Sequence, residues 1–356
     1  MLMRKLVVLL MLFPALLAPL SSQAEPVYTV HILGASFRPI DINNAGQIAG
    51  TVGVNGHNYA ALFSGGVLTN LGTLDGADSY TIAMNEAGDV TGWANGHAFL
   101  YQGGTMRDLG ANTTGYGINA HGDVAGVKFV DGYRATSFVY RDGAVTTLPY
   151  LGTGTSGAAN DINDSGAIVG YSDITEGGAS HAYLYNNGAL TDLGTLAGGT
   201  SSFATDINNA GQVAGFSDGP GGVAHAFRYQ GGVMTDLGAF GGRAFYIEDM
   251  NEHGVVLIGS GAPTGGTALI SVGDALVELR TLTDPALGWT FSDATGINDL
   301  GQIVGMGCRD GTCYPVRLDL TNAIPEPAAA WLLLPGLLLG AGAQRRRRRG
   351  ATFVNG

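Results

Sequence analysis

Few side chains in this 356-residue sequence are of types that invite chemistry: two cysteines, seven histidines and 29 acidic residues. Cys308 and Cys313 flank Arg309-Asp310-Gly311-Thr312. With Asp310-Gly311 as a two-residue hairpin turn, Arg309 faces Thr312 and the cysteines face each other in the next, non-hydrogen-bonded pair, where Cα atoms lie about 4.5 Å apart. That spacing permits a disulfide, whereas a redox or metal role has no neighbouring histidine to support it. His97, His181 and His225 open three copies of one phrase, and equivalent ligands brought to an axis could hold a metal. Tyr59 and Thr136 replace them in other copies, so a strand-opening histidine bonded to the backbone of a neighbouring repeat is the expectation.

Asp41-Ile42-Asn43-Asn44-Ala45-Gly46 and its copies at Asp161 and Asp206 match the opening of a calcium loop, Asp-x-Asn-x-Asp-Gly. The fifth position is Ala or Ser and no late bidentate Glu follows, so turn formation is the better explanation. Calcium stays as the minor alternative, and no other cofactor is expected. Asp75 and Asp78 lie in a Gly-rich loop and suit solvated turns better than an acid/base pair. Trp93, Trp289 and Tyr246 could stack on sugar rings, but in a strand-rich chain such aromatics more often fill the core. Gly-x-Ser-x-Gly, His-Glu-x-x-His and Walker-type phosphate loops are absent, and no catalytic constellation emerges.

The elements that carry these residues are repeats. Asp206-Ile207-Asn208-Asn209-Ala210-Gly211 recurs around Asn43, Asn85, Asn119, Asn163, Asn251 and Asn298, at separations of 42, 34, 44, 45, 43 and 47 residues. A second phrase stands at His97-Ala98-Phe99, His181-Ala182-Tyr183 and His225-Ala226-Phe227, and a third at Arg107-Asp108-Leu109-Gly110, Thr191-Asp192-Leu193-Gly194 and Thr235-Asp236-Leu237-Gly238. Each unit therefore holds about four strand-sized pieces joined by glycine turns. Ser202–Ile207 runs into a hairpin in which Gly211 takes positive φ, and the next strand begins at Gln212.

Four antiparallel strands repeated seven times predict an all-β fold, a seven-bladed β-propeller of four-stranded blades, with a β-solenoid as the alternative. Ring closure hides the two open edges, with Val27–Leu33 serving as an outer strand beside Tyr314–Leu318. The sixth unit is the weakest: one extra residue separates Asn251 from Gly259, which puts strand register there in question.

Both ends carry addresses. Arg4 and Lys5 precede the apolar run Leu6–Leu20, and Ser22-Gln23-Ala24 offers small residues to signal peptidase, so 1–24 read as a signal peptide. Near the other end, Pro325-Glu326-Pro327 leads into an apolar stretch from Ala328 to Ala343 and then Arg345, Arg346, Arg347, Arg348 and Arg349. That stretch would make a short transmembrane helix, a transient inner-membrane anchor with the arginines on the cytoplasmic side. The division is 1–24 leader, 25–322 propeller, 323–349 sorting segment and 350–356 tail. Seven of the 17 basic residues fall in the end segments, leaving ten against the chain's 29 acids. A body that acidic excludes nucleic acid as a bulk-electrostatic partner.

The Pro-Glu-Pro, hydrophobic segment and arginine cluster resemble the PEP-CTERM sorting signal of Gram-negative bacteria. That resemblance implies cleavage by an exosortase-type membrane protease and delivery to the cell surface or extracellular matrix. The His-Ala-Phe phrases, over about Val27–Leu320, are similar to those of the HAF-family extracellular repeat proteins. This implies secretion and repetition without an assigned chemistry. The expected function is a non-catalytic binding or structural module associated with extracellular polysaccharide or biofilm, with variable loops on one rim as its recognition surface. A surface-protein partner in cell adhesion and a propeller enzyme acting on glycans are the alternatives. The enzyme requires an axial pocket with acidic groups converging from several blades.

Overall fold

In the fifth repeat the phrases become four antiparallel strands, Ser202–Ile207, Val213–Asp218, Ala224–Gln230 and Val233–Gly238, hydrogen-bonded in that order. The computed structural model describes residues 27–34, 36–132, 134–239, 246–259 and 267–321. Seven four-stranded antiparallel sheets occur among them, and the first strands of successive sheets meet around one axis. The chain is thus a seven-bladed β-propeller and not a solenoid. The expected signal peptide 1–24 and the expected sorting segment 323–349, with Pro325-Glu326-Pro327 and Arg345–Arg349, lie outside the described residues. Among the described residues no helix is long and apolar enough to cross a membrane.

The ring closes through the amino-terminal strand. Tyr28–Ile32 pairs antiparallel with Thr312–Leu320, Tyr28 opposite Leu320, and becomes the outer strand of blade seven. The Val27 carbonyl accepts the Thr321 N–H at 2.8 Å, so the two ends of the described ring leave it side by side. This pairing removes the open edges that an array of hairpins would present.

The core is distributed between blades, as sheets stacked face to face require. Each blade's second strand opens with a buried aliphatic residue, such as Ile48, Val90 or Val213. The third strand contributes Phe99, Phe138, Tyr183 or Phe227, all fully buried. Phe227 packs with Val169, Ala182 and Leu193 of blade four, so the second and third phrases are the two halves of an interblade contact. Burying one such ring stabilises by about 1.5–3 kcal/mol.

The sixth unit keeps its register. Met250 pairs with Val256 across a turn of the same length as that between Ile207 and Val213, and Ile247 pairs with Ile258. Ile258 simply occupies the position that glycine holds in the other blades, and Gly259 is its neighbour; no residue has been inserted.

Candidate functional site: a cavity on the propeller axis

Every inner strand carries a β-bulge just before its Ile-Asn or Met-Asn, at Ile40, Ile82, Tyr116, Asn160, Thr205, Glu248 and Thr295. A bulge turns two consecutive side chains the same way. All seven bulged residues line a cavity of about 530 Å³ on the axis, and in five blades the successor lines it too. In six blades a close approach explains glycine on the second strand, blade six carrying Ile258 instead. A Cβ at Gly215 would stand 2.2 Å from the Phe203 carbonyl oxygen, and at Gly170 2.0 Å from that of Ala158.

The residue after each bulge forms the middle tier. Four copies carry aspartate, Asp41, Asp161, Asp206 and Asp249, and a fifth carries Ala83, all on the lining, while Gly117 and Gly296 at the other two positions bring no side chain to it. These carboxylates staple blades together: Asp41 accepts the Met84 N–H at 2.8 Å, Asp161 that of Ile207 at 3.0 Å and Asp249 that of Ile297 at 2.6 Å. Asp206 instead hydrogen-bonds to the side chains of Asp161 and Asp249. Glycine at 117 leaves room for its neighbour, since a Cβ there would meet Asp161 Oδ1 at 2.4 Å.

Above this tier the repeated asparagines form a closed belt. Each Oδ1 accepts the N–H four residues on, which fixes the hairpin; for Asn208 the donor is Gln212 at 3.0 Å. Each Nδ2 donates to the next blade, as in Asn163 to the Asn208 carbonyl at 3.0 Å, Asn208 to Asn251 at 3.3 Å and Asn251 to Asn298 at 3.1 Å. The belt passes over the closure of the ring, where Asn298 donates to the Asn43 carbonyl at 3.0 Å. Gly211 ends the turn with φ +73°.

The following residues make the mouth. Glu86, Asp164, Glu252 and Asp299 each accept a backbone N–H from the preceding blade, and Asn44 and Asn209 do likewise with their side-chain oxygens. The link is missing where blade three carries Ala120.

Burial dominates the electrostatics. It pushes Asp41 up to about 6, and with the nearby charge of Asp293 it pushes Glu248 up to about 7. Burial and the Asp41 charge push Asp249 to about 8. Burial, then the charges of Asp161 and Asp249, hold the Asp206 carboxyl well above the usual range. Arg38, the one cation among the lining residues, is paired with Asp293 at 2.8 Å.

Of the residues singled out from sequence, Asp41, Asp161 and Asp206 line the cavity, and the others are placed elsewhere. Cys308 and Cys313 are joined in a disulfide across the hairpin of blade seven, Cα atoms 4.0 Å apart. His97, His181 and His225 do not approach the axis. Each pairs through Nδ1 with the aspartate of its own blade's outer strand, Asp108, Asp192 or Asp236, at 2.9–3.0 Å. The expected bond to a neighbouring repeat's backbone is therefore wrong for the imidazole. A bulge between the third and fourth strands brings that aspartate under it. The interblade bond is made one residue later, where the Ala98 and Ala182 N–H groups donate to Thr113 Oγ1 and Ser202 Oγ.

Asp78 accepts from Asn58 N–H and Tyr80 Oη, and Asp75 from Ala77 N–H and Asn95, so both organise loops. Trp289 is buried against Phe291 and Tyr314, Trp93 packs on Tyr80, and Tyr246 is exposed. Among the described residues no group of three or more His, Cys, Asp or Glu side chains is arranged to hold a metal ion. From sequence, Asp41, Asp161 and Asp206 stood out only as the opening of a possible calcium loop, and Glu248 and Asp249 were missed, because the phrase was read as a turn. The visible signal was the variation of its first position between Asp, Ala and Gly.

No protein-family model matches the chain, and no curated protein matches it by sequence. Solved structures do match in fold. A puromycin-hydrolyzing peptidase of Mycobacterium tuberculosis superposes at TM-score 0.53 and 14% identity, over 82% of this chain and 52% of its own. The extracellular domain of a putative one-component system from B. thetaiotaomicron superposes at TM-score 0.51 and 12% identity, over 84% of this chain and 41% of its own. The β-propeller domain of the Trilobed protease from Pyrococcus furiosus gives 0.48 at 12% identity, over 68% and 81%. The chain thus spans about half or less of the first two proteins, with which it shares the propeller fold.

Proposed function

We propose that this protein is an exported, non-catalytic binding and structural module whose axial cavity takes a hydroxyl-rich ligand, a residue or chain end of an extracellular polysaccharide. The cavity carries this reading. Its volume of about 530 Å³ suits a small saccharide, within the roughly 300–1,000 Å³ of typical ligand pockets. Asn160, Thr205 and the carboxyl groups offer hydrogen-bond partners along one wall, while Tyr116, Ile82 and Ala83 give the opposite wall an apolar face. Sugar hydroxyls are good donors to carboxylates, and sugar C–H faces pack on aromatic rings.

The end segments supply the address: signal peptidase removes 1–24, and an exosortase-type protease cuts near Pro325-Glu326-Pro327. Export is in keeping with a fold also used by an extracellular domain of B. thetaiotaomicron. Retention of the protein on polysaccharide columns or glycan arrays tests the reading. Retention on a protein partner alone would replace it with adhesion. Mass spectrometry of the mature protein tests the address, and an intact C-terminus carrying Arg345 contradicts it.

One observation favours a glycan-acting enzyme as second reading. Glu248 makes no hydrogen bond to another described residue, and burial brings it to about 7, in the range of a general acid. Against it, Asp41, Asp161 and Asp249 already accept backbone N–H groups, as structural carboxylates do. Reducing ends released from glycans by the wild type and not by Glu248→Gln would establish the enzyme; no release by either leaves the binding module.

A further inference from the structure

Asp161, Asp206 and Asp249 occupy one register position on three adjacent inner strands. The outer two are anchored by backbone donors, Ile207 at 3.0 Å for Asp161 and Ile297 at 2.6 Å with Met250 at 2.8 Å for Asp249. Asp206 hydrogen-bonds to both of them. An ionised carboxylate only accepts hydrogen bonds, so two carboxyl groups bond to each other only by holding a proton between them. We propose that these three aspartates form a proton-holding seam across blades four to six, which keeps this wall of the axial cavity partly neutral at neutral pH and releases its protons in alkali, leaving three like charges that loosen the inner strands.

The groups around the seam reinforce it. Blade one contributes Asp41, whose charge acts on Asp249, and Arg38, which is committed to Asp293 of blade seven. Blade four adds Asp164, whose charge acts on Asp161, and blade six adds Glu248 beside Asp249. Glu86, Glu252 and Asp299 crowd the mouth, and Tyr116 is the titratable group of blade three on the lining. No unpaired cation among the lining residues stands ready to neutralise an ionised seam. The positions of titration agree in direction, since burial raises all three carboxyls and brings Asp249 to about 8.

The sign follows from linkage. A carboxyl whose folded pKa is raised gives stability that is fully present below its unfolded value, roughly 4, and is lost as pH rises through the folded value. The seam therefore stabilises the closed ring most below about pH 4, and its contribution declines as pH rises from there towards the folded values, about 8 for Asp249. Its bearing on saccharide binding rests on the reading above, but the seam can be tested without any ligand.

Infrared difference spectra of the unliganded full-length protein should show protonated carboxyl groups at pH 7 that vanish by pH 10. Its melting temperature should fall progressively as pH rises from about 5 to about 10. Asp206→Asn is the diagnostic variant, because the amide offers two N–H donors that bridge to Asp161 and Asp249 without titrating. It is expected to lose part of the protonated-carboxyl signal and most of the alkaline fall in melting temperature. Absence of protonated carboxyl in the wild type at pH 7 overturns the seam, with no variant needed. So does an Asp206→Asn protein whose signal and alkaline slope equal the wild type's. Neither result touches the binding reading, which fails only if saccharide is not retained.

Discussion

Replacing Asn208 by alanine should weaken the whole ring out of proportion to one surface turn. The side chain is buried at 4% exposure and accepts the Gln212 N–H at 3.0 Å, donates to Gln212 Oε1 at 2.8 Å and donates to the Asn251 carbonyl of the next blade at 3.3 Å. Alanine leaves a donor and an acceptor without these partners in a shielded place, at about 1–3 kcal/mol each. Water reaching the turn offsets part of that, so a loss of about 2–4 kcal/mol is expected. For a body of this size each kcal/mol moves the melting temperature by roughly 2 °C, which gives about 4–8 °C. Asn209→Ala is the control: it removes two exposed bonds, one donated to Asp164 Oδ2 at 2.9 Å and one accepted from the Asp164 N–H at 2.8 Å, together worth about 1 kcal/mol. Thermal melts and urea midpoints of the two variants make the comparison. An Asn208→Ala protein within about 0.5 kcal/mol of the wild type, or no weaker than Asn209→Ala, would refute the belt as an interblade fastening.

Other outcomes follow from the same geometry. Gly215→Ala puts a Cβ 2.2 Å from the Phe203 carbonyl and should cost about 1–3 kcal/mol or more, read as a lowered urea midpoint, whereas Gly232→Ala, on an open turn, should cost about 1 kcal/mol from its positive φ alone. Reducing Cys308–Cys313 opens a loop with a sequence separation of only 5, so dithiothreitol should lower stability by about 2 kcal/mol and leave the ring folded by circular dichroism. On the acid side, burial is outweighed at Asp108 by the Gly110 N–H and His97, and at Asp218 by Thr200 and Ser201, so both carboxyls sit below the usual range. Their stabilisation is present above about pH 4 and lost as pH falls further, and melting temperature should drop below that point.

The architecture was legible because the repeat is a physical unit. Asn208 to Gly211 spelled the hairpin, Phe227 and Leu237 the buried faces, and the spacing of the asparagines the number of blades. The closing strand at Val27 could be inferred because a ring leaves one blade short of an outer strand. The bulges were not legible. Thr205-Asp206 or Glu248-Asp249 reads as ordinary alternation, and only pairing partners reveal that both residues turn to the axis. The first position of the repeated phrase therefore looked like a strand residue when it lines the cavity. His225 misled for a related reason, because the offset that places Asp236 beneath it is a bulge in the outer pair. Gly259 suggested an insertion only because glycine was taken as the landmark, and backbone pairing shows Ile258 in that place.

In the proposed function, recognition occurs in the axial cavity and not on the variable loops. Ala83 faces the cavity from blade two with no large side chain of its own. Calorimetric titration of a polysaccharide fragment retained by the wild type, repeated on Ala83→Phe and on Tyr246→Ala, measures this directly. Binding abolished by Ala83→Phe at an unchanged melting temperature, and kept within about threefold by Tyr246→Ala, is the predicted result. Undiminished binding by a folded Ala83→Phe protein contradicts the claim and returns recognition to the loops.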